Sequence, residues 1–434
     1  MMKSKTREIY KDNFAEYLLC LSLDVGEGML RCGAEISRVE DTIERICKAY
    51  GAVHVEVFSI ISFINAAIRM PDGSYSSQMR RIRSISTDLT LLERYNALSR
   101  RMCAERPSLS DFDGQIREIK SAKKFGFSLI CLACGVASGG FAMFFGGRWN
   151  DVLIAFLIGM LIGVVDMRMP SRVNAMAKTV ISSAITAAVA ILCARLGLAS
   201  SADYVIMGAI MLLVPGVCFG TAMRDLLYGD LLAGTLKTLQ AILTALMIAF
   251  GYMISVEFLE LFGVALDTGT IAPIDFEIFF KPFFFVASLG ALLGSLGFAV
   301  MFKVSPKNIL YASLAGLITY VVYYTVEFFS VGAAFPAAFV STMVTALLAE
   351  IFSRMRKAPT IVFLIPGVIP TVPGGSLYKS MRSLLLDDFA GALDSLFVAL
   401  QIGLGIAGGI LTVSIIFGTL AEKITKGKTK KNDQ

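Results

Sequence analysis

Long apolar runs dominate the chain from residue 125 to residue 418, and short polar segments separate them. A helix needs about 20 apolar residues to cross the hydrocarbon core of a bilayer. Ten runs approach that length, so the pattern predicts ten transmembrane helices. The fourth and ninth runs are the weakest, because each contains a helix-breaking Pro-Gly pair. The predicted spans are residues 125–145, 150–168, 178–196, 203–219, 234–256, 282–302, 309–329, 333–352, 358–376 and 394–418.

The first 124 residues show the shorter apolar periods of a soluble domain. Residues 12–33 and the stretch "AEISRVEDTIERICKAYG" have helical spacing, and Ser37 is the candidate N-cap of the second helix. The stretches "AVHVEVFS" and "SFINAAIRM" alternate like two tightly joined strands, and the turn "PDGS" follows them. Two more helices are predicted over roughly 85–106 and 108–122. The pattern therefore predicts a small α+β domain before the first span.

Composition agrees with this division. Hydrophobic residues make up 56% of the 434 positions, against about 45–50% in a soluble domain. Only 17% of the residues are charged, and half of them lie in residues 1–124. This indicates a polytopic α-helical membrane protein with the lipid bilayer as a partner. The net charge of +6 is no argument for nucleic-acid binding, because much of the excess lies in the tail "KITKGKTKK".

The distribution of Lys and Arg between the loops predicts the orientation. If residues 1–124 are cytoplasmic, fifteen Lys and Arg fall on the cytoplasmic side of the membrane segment and five on the other side. Cytoplasmic loops are enriched in these residues, so both termini are predicted to be cytoplasmic. The acidic linker 257–281 then falls outside.

A 17-residue segment occurs twice. "VPGVCFGTAMRDLLYGD" begins at Val214 and "VPGGSLYKSMRSLLLDD" begins at Val372, with eight identities and no gap. The same offset of 158 residues carries predicted spans one to five onto spans six to ten. Because five is odd, the second half is inverted relative to the first, as in many secondary transporters. The predicted divisions are 1–124, 125–256, 257–281, 282–418 and 419–434, which are the cytoplasmic domain, first repeat, linker, second repeat and basic tail.

The repeated segment supplies the candidate substrate site. Pro-Gly breaks survive in a membrane only where the freed backbone groups are buried or face a water-filled cavity. A helix that restarts after a break offers N–H groups to a carboxylate, Arg can add a bidentate contact, and Asp can bind an ammonium group or a coupling proton. The alternative is that these charges only snorkel to the interface or pair with each other. The candidates are Pro215, Gly216, Arg224, Asp230, Pro366, Gly367, Pro373, Gly374, Arg382 and Asp388.

Other chemistry is sparse in the sequence. Asp166 and Glu350 end the second and eighth spans and are candidate coupling residues, although a nearby basic residue would make either an interfacial ion pair. Cys131 and Cys134 match a redox pattern but lie in an apolar run, which favours buried thiols. His54 is the only histidine, and no P-loop, dinucleotide fingerprint or metal motif is present. No enzymatic activity, cofactor or metal is therefore predicted.

Three stretches resemble a known family. "GEGMLRCGAEISRVEDTIERICKAYG" is similar to the start of threonine/serine exporters. "LLVPGVCFGTAMRDLLYGD" and "PTIVFLIPGVIPTVPGGSLYKSM" resemble the family's two membrane blocks, which are separate proteins in some bacteria. The resemblance covers nearly the whole chain. It implies a ten-span exporter of the bacterial inner membrane, which uses the proton motive force, as an antiporter, to export threonine and serine.

The main hypothesis is therefore secondary active export of a small carboxylate-bearing metabolite, threonine or serine, with protons as the coupling partner. A dicarboxylate exporter of the succinate type is the first alternative, since split-chain relatives have that association. A membrane sensor regulated by the soluble domain is the second. The sequence leaves open whether the chain forms a homo-oligomer.

Overall fold

The structure is a computed structural model that describes residues 13–83, 85–122, 125–170, 172–215, 222, 225–226, 231–264 and 282–432. The chain divides into two compact units. The N-terminal unit consists of Met1–Phe125 together with Phe302–Ser305. The membrane unit consists of Gly126–Met301 and Pro306–Gln434.

The N-terminal unit is a small α+β domain, as predicted. Its elements are α1 Phe14–Arg31, α2 Ile36–Ala49, β1 His54–Ile60, β2 Phe63–Arg69, β3 Tyr75–Arg81, α3 Leu89–Glu105 and α4 Leu109–Ser121. The three strands form one antiparallel sheet in the order β1-β2-β3. The third strand was not predicted. It pairs with β2 directly after the turn, with Ser76 opposite Ile68 and Met79 opposite Asn65.

Helix α1 forms the centre of this unit. Leu18, Leu21 and Met29 are fully buried along it. Two glycines allow close packing: a Cβ on Gly26 would lie 2.5 Å from Cδ1 of Ile43 in α2, and a Cβ on Gly28 would overlap the ring of a tyrosine in α3. Because interiors are packed as densely as organic crystals, such contacts leave no room for a side chain.

The helices of this unit differ in how their starts are capped. The prediction of Ser37 as an N-cap was wrong, because α2 begins at Ile36 after an extended Glu35 with no side-chain cap. Helix α3 starts after Asp88, whose Oδ1 accepts from the N–H of Leu91 at 3.1 Å. The carbonyls of segment 302–305 accept two more N–H groups of the first turn, from Leu89 and Thr90. The first four N–H groups of a helix have no partner within it, so these contacts fix the start of α3.

Helix α4 offers a test of capping. The Oγ of Ser108 accepts from the N–H of Asp111 at 3.2 Å. Replacing Ser108 with alanine should cost about 1 kcal/mol of local stability, because one orphan N–H loses its partner. Hydrogen exchange followed by mass spectrometry should show faster exchange in residues 109–121. The matched control is Ser121→Ala at the other end of the helix, which removes no N-cap. Equal exchange in both variants would contradict the capping role.

The membrane unit is entirely helical where the structure describes it. Its elements are α5 Phe127–Phe144, α6 Trp149–Arg168, α7 Ala175–Arg195, α8 Ala202–Ile210, α9 Leu231–Glu260, α10 Pro282–Met301, α11 Pro306–Phe329, α12 Ala334–Arg356, α13 Ile361–Val368, α14 Gly374–Leu385 and α15 Phe389–Asn432. Nine stretches of the described chain are long and apolar enough to cross a membrane, when α13 and α14 count as one stretch, Ile361–Leu385. The prediction of a polytopic helical membrane protein is confirmed.

Three predicted elements differ in extent. The fourth span was predicted over 203–219, but α8 ends at Ile210 and a turn follows to Leu213. The remainder, 216–219, lies outside the described residues. The ninth span is broken into two helices. Helix α15 is longer than the tenth predicted span 394–418 and continues through Asn432 into the predicted basic tail 419–434.

The offset of 158 residues recurs in the helix limits. Shifted by that number, α8 becomes 360–368, and α13 occupies Ile361–Val368. Shifted α9 would begin at residue 389, where α15 begins. The limits of α8 and α13 and the starts of α9 and α15 are therefore consistent with the offset. The inverted relation of the halves remains a prediction.

Helices α5 and α10 cross at a contact made by glycines. A Cβ on Gly140 would lie 2.6 Å from N of Gly294 and 3.0 Å from O of Gly290. A Cβ on Gly297 would lie 2.5 Å from N of Ala137. The backbones touch directly, as in small-residue crossings of membrane helices. Each half contributes one helix to this contact.

Candidate functional site

The ninth predicted span contains an irregular segment surrounded by protein. All eight residues of α13 are buried, including Pro366 within the helix. A short 3-10 turn follows at Ile369–Thr371, Val372 is extended, and α14 begins directly after Pro373. Proline has no N–H and cannot continue the hydrogen-bond ladder. Packing by neighbouring helices therefore shields the polar backbone groups that the break leaves without helical partners.

The structure places the two copies of the Val-Pro-Gly segment next to each other. A Cβ on Gly374 would lie 3.5 Å from Cγ2 of Val214 and would overlap Sδ of Met211. Gly374 begins the restarted helix α14, and Val214 ends the turn after α8. At the other break, a Cβ on Gly367 would lie 2.9 Å from Cγ2 of Thr345. Neighbouring side chains thus pack closely against the backbone at both Gly367 and Gly374.

A largely buried ion pair lies between α8 and α14. Nε of Arg382 lies 3.2 Å from Oδ1 of Asp203, and the two side chains are 11% and 14% exposed. The hydroxyl of Tyr378 donates to the same Oδ1 at 2.5 Å. Tyr378 and Arg382 are four residues apart and therefore share one face of α14. One carboxylate of the first half is thus held by two side chains of the repeated segment in the second half.

The local helices favour the charges of this pair. Asp203 lies in the first turn of α8, and Arg382 lies in the last turn of α14. The N-terminus of a helix stabilises an anion and the C-terminus stabilises a cation. The fully buried Tyr252 of α9 packs edge-on against Tyr378 with ring centroids 5.7 Å apart. The pair is therefore screened from solvent on one side by aromatic rings, which strengthens its electrostatic interaction.

The other predicted site residues have different surroundings. Gly216, Arg224 and Asp230 lie outside the described residues, and Pro215 follows the turn after α8. Asp388 is exposed, and its Oδ1 accepts from the N–H of Gly391 at 2.9 Å in the first turn of α15. This contact is that of an N-cap.

The two predicted coupling residues, Asp166 and Glu350, contact side chains other than those of the ion pair. The side chain of Asp166 is 74% exposed, and its Oδ1 lies 3.9 Å from Nζ of Lys178. This geometry is that of a surface ion pair, which contributes little to stability. Glu350 accepts from Oγ1 of Thr360 at 2.9 Å, next to the start of α13. Its position links the end of α12 to the broken span.

Sequence reasoning missed Asp203 and one further ion pair. Asp203 precedes an apolar run and has no counterpart in the repeat. The one sequence signal that could have identified it is that it is an ionisable residue at the end of a predicted span. Oδ2 of Asp225 lies 2.5 Å from Nζ of Lys237, and both side chains are largely buried. Asp225 follows Arg224 in the first copy of the repeated segment, and its partner Lys237 belongs to α9.

The described residues offer little redox or metal chemistry. They contain no group of three or more His, Cys, Asp or Glu side chains that could hold a metal ion. Cys131 and Cys134 are buried and free within α5. In the N-terminal unit, burial raises the pKa of the Cys47 thiol to about 11 and that of Cys32 to about 12. Both thiols therefore stay protonated at neutral pH, which makes them poor nucleophiles.

Comparison with known proteins gives a consistent result. A threonine/serine exporter model matches residues 21–259, and a second model, "Threonine/Serine exporter, ThrE", matches residues 287–416. A Mycobacterium tuberculosis protein named "Probable threonine/serine exporter" is 23% identical over 423 residues, which cover 94% of this chain and 78% of that protein.

Two other relatives come from different organisms. The "Threonine/serine exporter" of Corynebacterium glutamicum is 21% identical over 405 residues, which cover 90% of this chain and 80% of that protein. "Pheromone-regulated membrane protein 10" of Kluyveromyces lactis is 22% identical and matches 65% of this chain but only 31% of its own length. No solved structure matches this chain. The two family models together span both units, and the chain belongs to the threonine/serine exporter family.

Proposed function

We propose that this protein exports threonine or serine across a membrane as a proton-coupled secondary transporter. The Asp203–Arg382 pair beside the repeated segments carries the proposal. Ionisable residues among membrane helices are costly and commonly mark substrate or ion pathways. The family membership supports amino-acid export, and the pair supplies a site with suitable chemistry.

The ion pair matches the charges of an amino acid. A zwitterion carries a carboxylate, which a guanidinium binds bidentately, and an ammonium group, which a carboxylate accepts. Such a substrate can enter between Arg382 and Asp203 and leave neither charge without a partner. Succinate would place a carboxylate against Asp203, which is repulsive unless that group is protonated. The geometry therefore favours an amino acid over a dicarboxylate.

Proton coupling follows from the same exchange. A proton on Asp203 would neutralise the carboxylate that accepts the substrate ammonium group. Proton binding and substrate binding then compete at one carboxylate, as an antiporter requires. Glu350 and Asp166 are further candidates for the proton path. In the broken ninth span, Pro366, Gly367, Pro373 and Gly374 would provide backbone groups and a hinge for the substrate path.

The two halves would alternate in opening the site. We propose that the halves are inverted repeats and that both chain termini are cytoplasmic. The proximity of Val214 and Gly374 supports a shared site, because each residue belongs to a different copy of the segment. In the proposed cycle, α8 and α14 move relative to each other and expose the pair to one side at a time.

Cells that lack or overproduce the protein provide the test. Intracellular labelled threonine, serine and succinate are measured over time, with and without an uncoupler. Overproduction should lower the accumulation of threonine or serine, and the uncoupler should abolish the difference. Unchanged accumulation of all three compounds would refute export of these substrates. A change in succinate alone would support a dicarboxylate exporter instead.

A further inference from the structure

The N-terminal unit contains a polar groove that the proposed transport does not use. It lies between α2 and α3 and has a volume of about 750 Å³. Binding sites for small molecules commonly enclose about 300–1,000 Å³. Six polar residues of its lining matter for its chemistry: Glu35, Arg38, Asp41, Arg45, Asn96 and Arg100. All six belong to one unit of the chain.

The lining is fixed by buried polar groups. Asn96, Ser99 and Thr42 line the groove and are each at least nine-tenths buried. Oδ1 of Asn96 accepts from Nη2 of Arg38 at 3.2 Å. A buried amide that holds a guanidinium limits the rotamers of that side chain, so less entropy is lost when a ligand binds. Arg38 is therefore positioned before any ligand arrives.

The groove carries both signs of charge. Three guanidinium groups line it together with the carboxylates of Glu35 and Asp41. Nε of Arg45 lies 2.7 Å from Oδ1 of Asp41, so one cation and one anion lie side by side. A simple anion would meet the carboxylates, and a simple cation would meet the guanidinium groups. A ligand with one charge of each sign avoids both repulsions.

We propose that this groove is a binding site for a small α-amino acid. The ligand carboxylate would bind Arg38, and its ammonium group would lie toward Asp41. Ser99 and Thr42 would supply contacts to a polar ligand side chain. The site is separate from the Asp203–Arg382 pair, and ligand binding there does not depend on the proposed export. It would give the exporter a site that responds to amino-acid concentration.

Cys103 lines the same groove and serves as a reporter. Burial raises the pKa of its thiol, so alkylation is measured at a mildly alkaline pH. The purified full chain is treated with iodoacetamide, with and without threonine, and modification at Cys103 is followed by mass spectrometry. Cys193 of the membrane unit is the internal control. Threonine is expected to slow modification at Cys103 several-fold.

Variants separate the groove from the membrane site. Arg382→Gln should leave protection of Cys103 unchanged, because the groove does not contain that residue. Arg38→Gln should raise the threonine concentration for half-protection about tenfold or more, since one charge-assisted contact is lost. The matched control Arg117→Gln, which changes an exposed arginine of α4, should behave like the unchanged chain.

The outcomes decide between the alternatives. Absence of protection, or protection that Arg38→Gln leaves unchanged, would overturn the proposal. Equal protection by succinate or inorganic phosphate would show an anion site and would also overturn it. Protection of Cys103 in a chain that exports none of the tested compounds would support the groove while refuting the proposed export. The two ideas are thus tested separately.

Discussion

Efflux of labelled threonine is expected to fall to background when Arg382 is replaced by glutamine. The substitution removes the guanidinium that we propose binds the substrate carboxylate, and it removes the positive charge that lies 3.2 Å from Oδ1 of Asp203. Removal of one partner from a buried ion pair typically costs about 3–5 kcal/mol. The variant should therefore also unfold at a lower temperature. Efflux and the midpoint of thermal unfolding are measured on the same preparations.

A double variant distinguishes loss of function from loss of stability. Arg382→Gln combined with Asp203→Asn removes both charges, so most of the lost stability should return while efflux stays at background. The matched control is Arg195→Gln, an exposed arginine at the end of α7, which should change stability by no more than about 0.5 kcal/mol. Efflux like that of the unchanged chain in Arg382→Gln, at normal membrane levels, would exclude Arg382 from the substrate site.

Replacement of Gly140 by valine is expected to prevent stable assembly of the membrane unit. The new side chain would meet backbone atoms of α10, including N of Gly294 at 2.6 Å from the Cβ position. Overpacking of a core costs about 1–3 kcal/mol even where side chains can move. Here the obstacle is backbone, so the helices would have to separate, and a larger loss is expected. Size-exclusion elution and thermal unfolding in detergent measure the effect.

A glycine without close neighbours provides the comparison. Gly126 has no atom within 4 Å of its Cβ position, so Gly126→Val tests the same chemical change without a clash. That variant should elute and unfold like the unchanged chain. Gly290→Val should reproduce the defect of Gly140→Val, because a Cβ there would lie 2.7 Å from O of Gly140. Normal stability of both α5 and α10 variants would show that the helices do not cross as described.

The apolar pattern predicted most of the membrane helices because lipid imposes a strict requirement. Every backbone N–H and C=O group in a span must be hydrogen-bonded within the protein, which favours a continuous helix. The length and apolar composition of such a helix are visible in the sequence. The pattern failed where the helix stops inside an apolar run. The Pro215-Gly216 pair marks a weak point in residues 203–219, but α8 already ends at Ile210, five residues before that pair. The apolar spacing does not indicate this earlier end.

The site was predicted only in part. Arg382 was chosen because it occurs in both copies of the segment, and it does meet a charge of opposite sign. Asp203 was missed because its partner lies 179 positions away in sequence. In the N-terminal unit, β3 was missed for a related reason: "YSSQMRR" has few strand-forming residues, and its pairing with β2 supplies the order. Contacts distant in sequence decided both cases.

The broken span also constrains how the protein can be made. Helix α13 has eight residues, or about 12 Å of helix, which is less than half of the hydrocarbon thickness. In the stretch Ile361–Leu385, 83% of the apolar window is covered by the rest of the protein. Lipid alone would leave the backbone groups around Pro366 and Pro373 unsatisfied. The segment must therefore enter the membrane against helices that are already in place, and synthesis from N- to C-terminus delivers α10, α11 and α12 first.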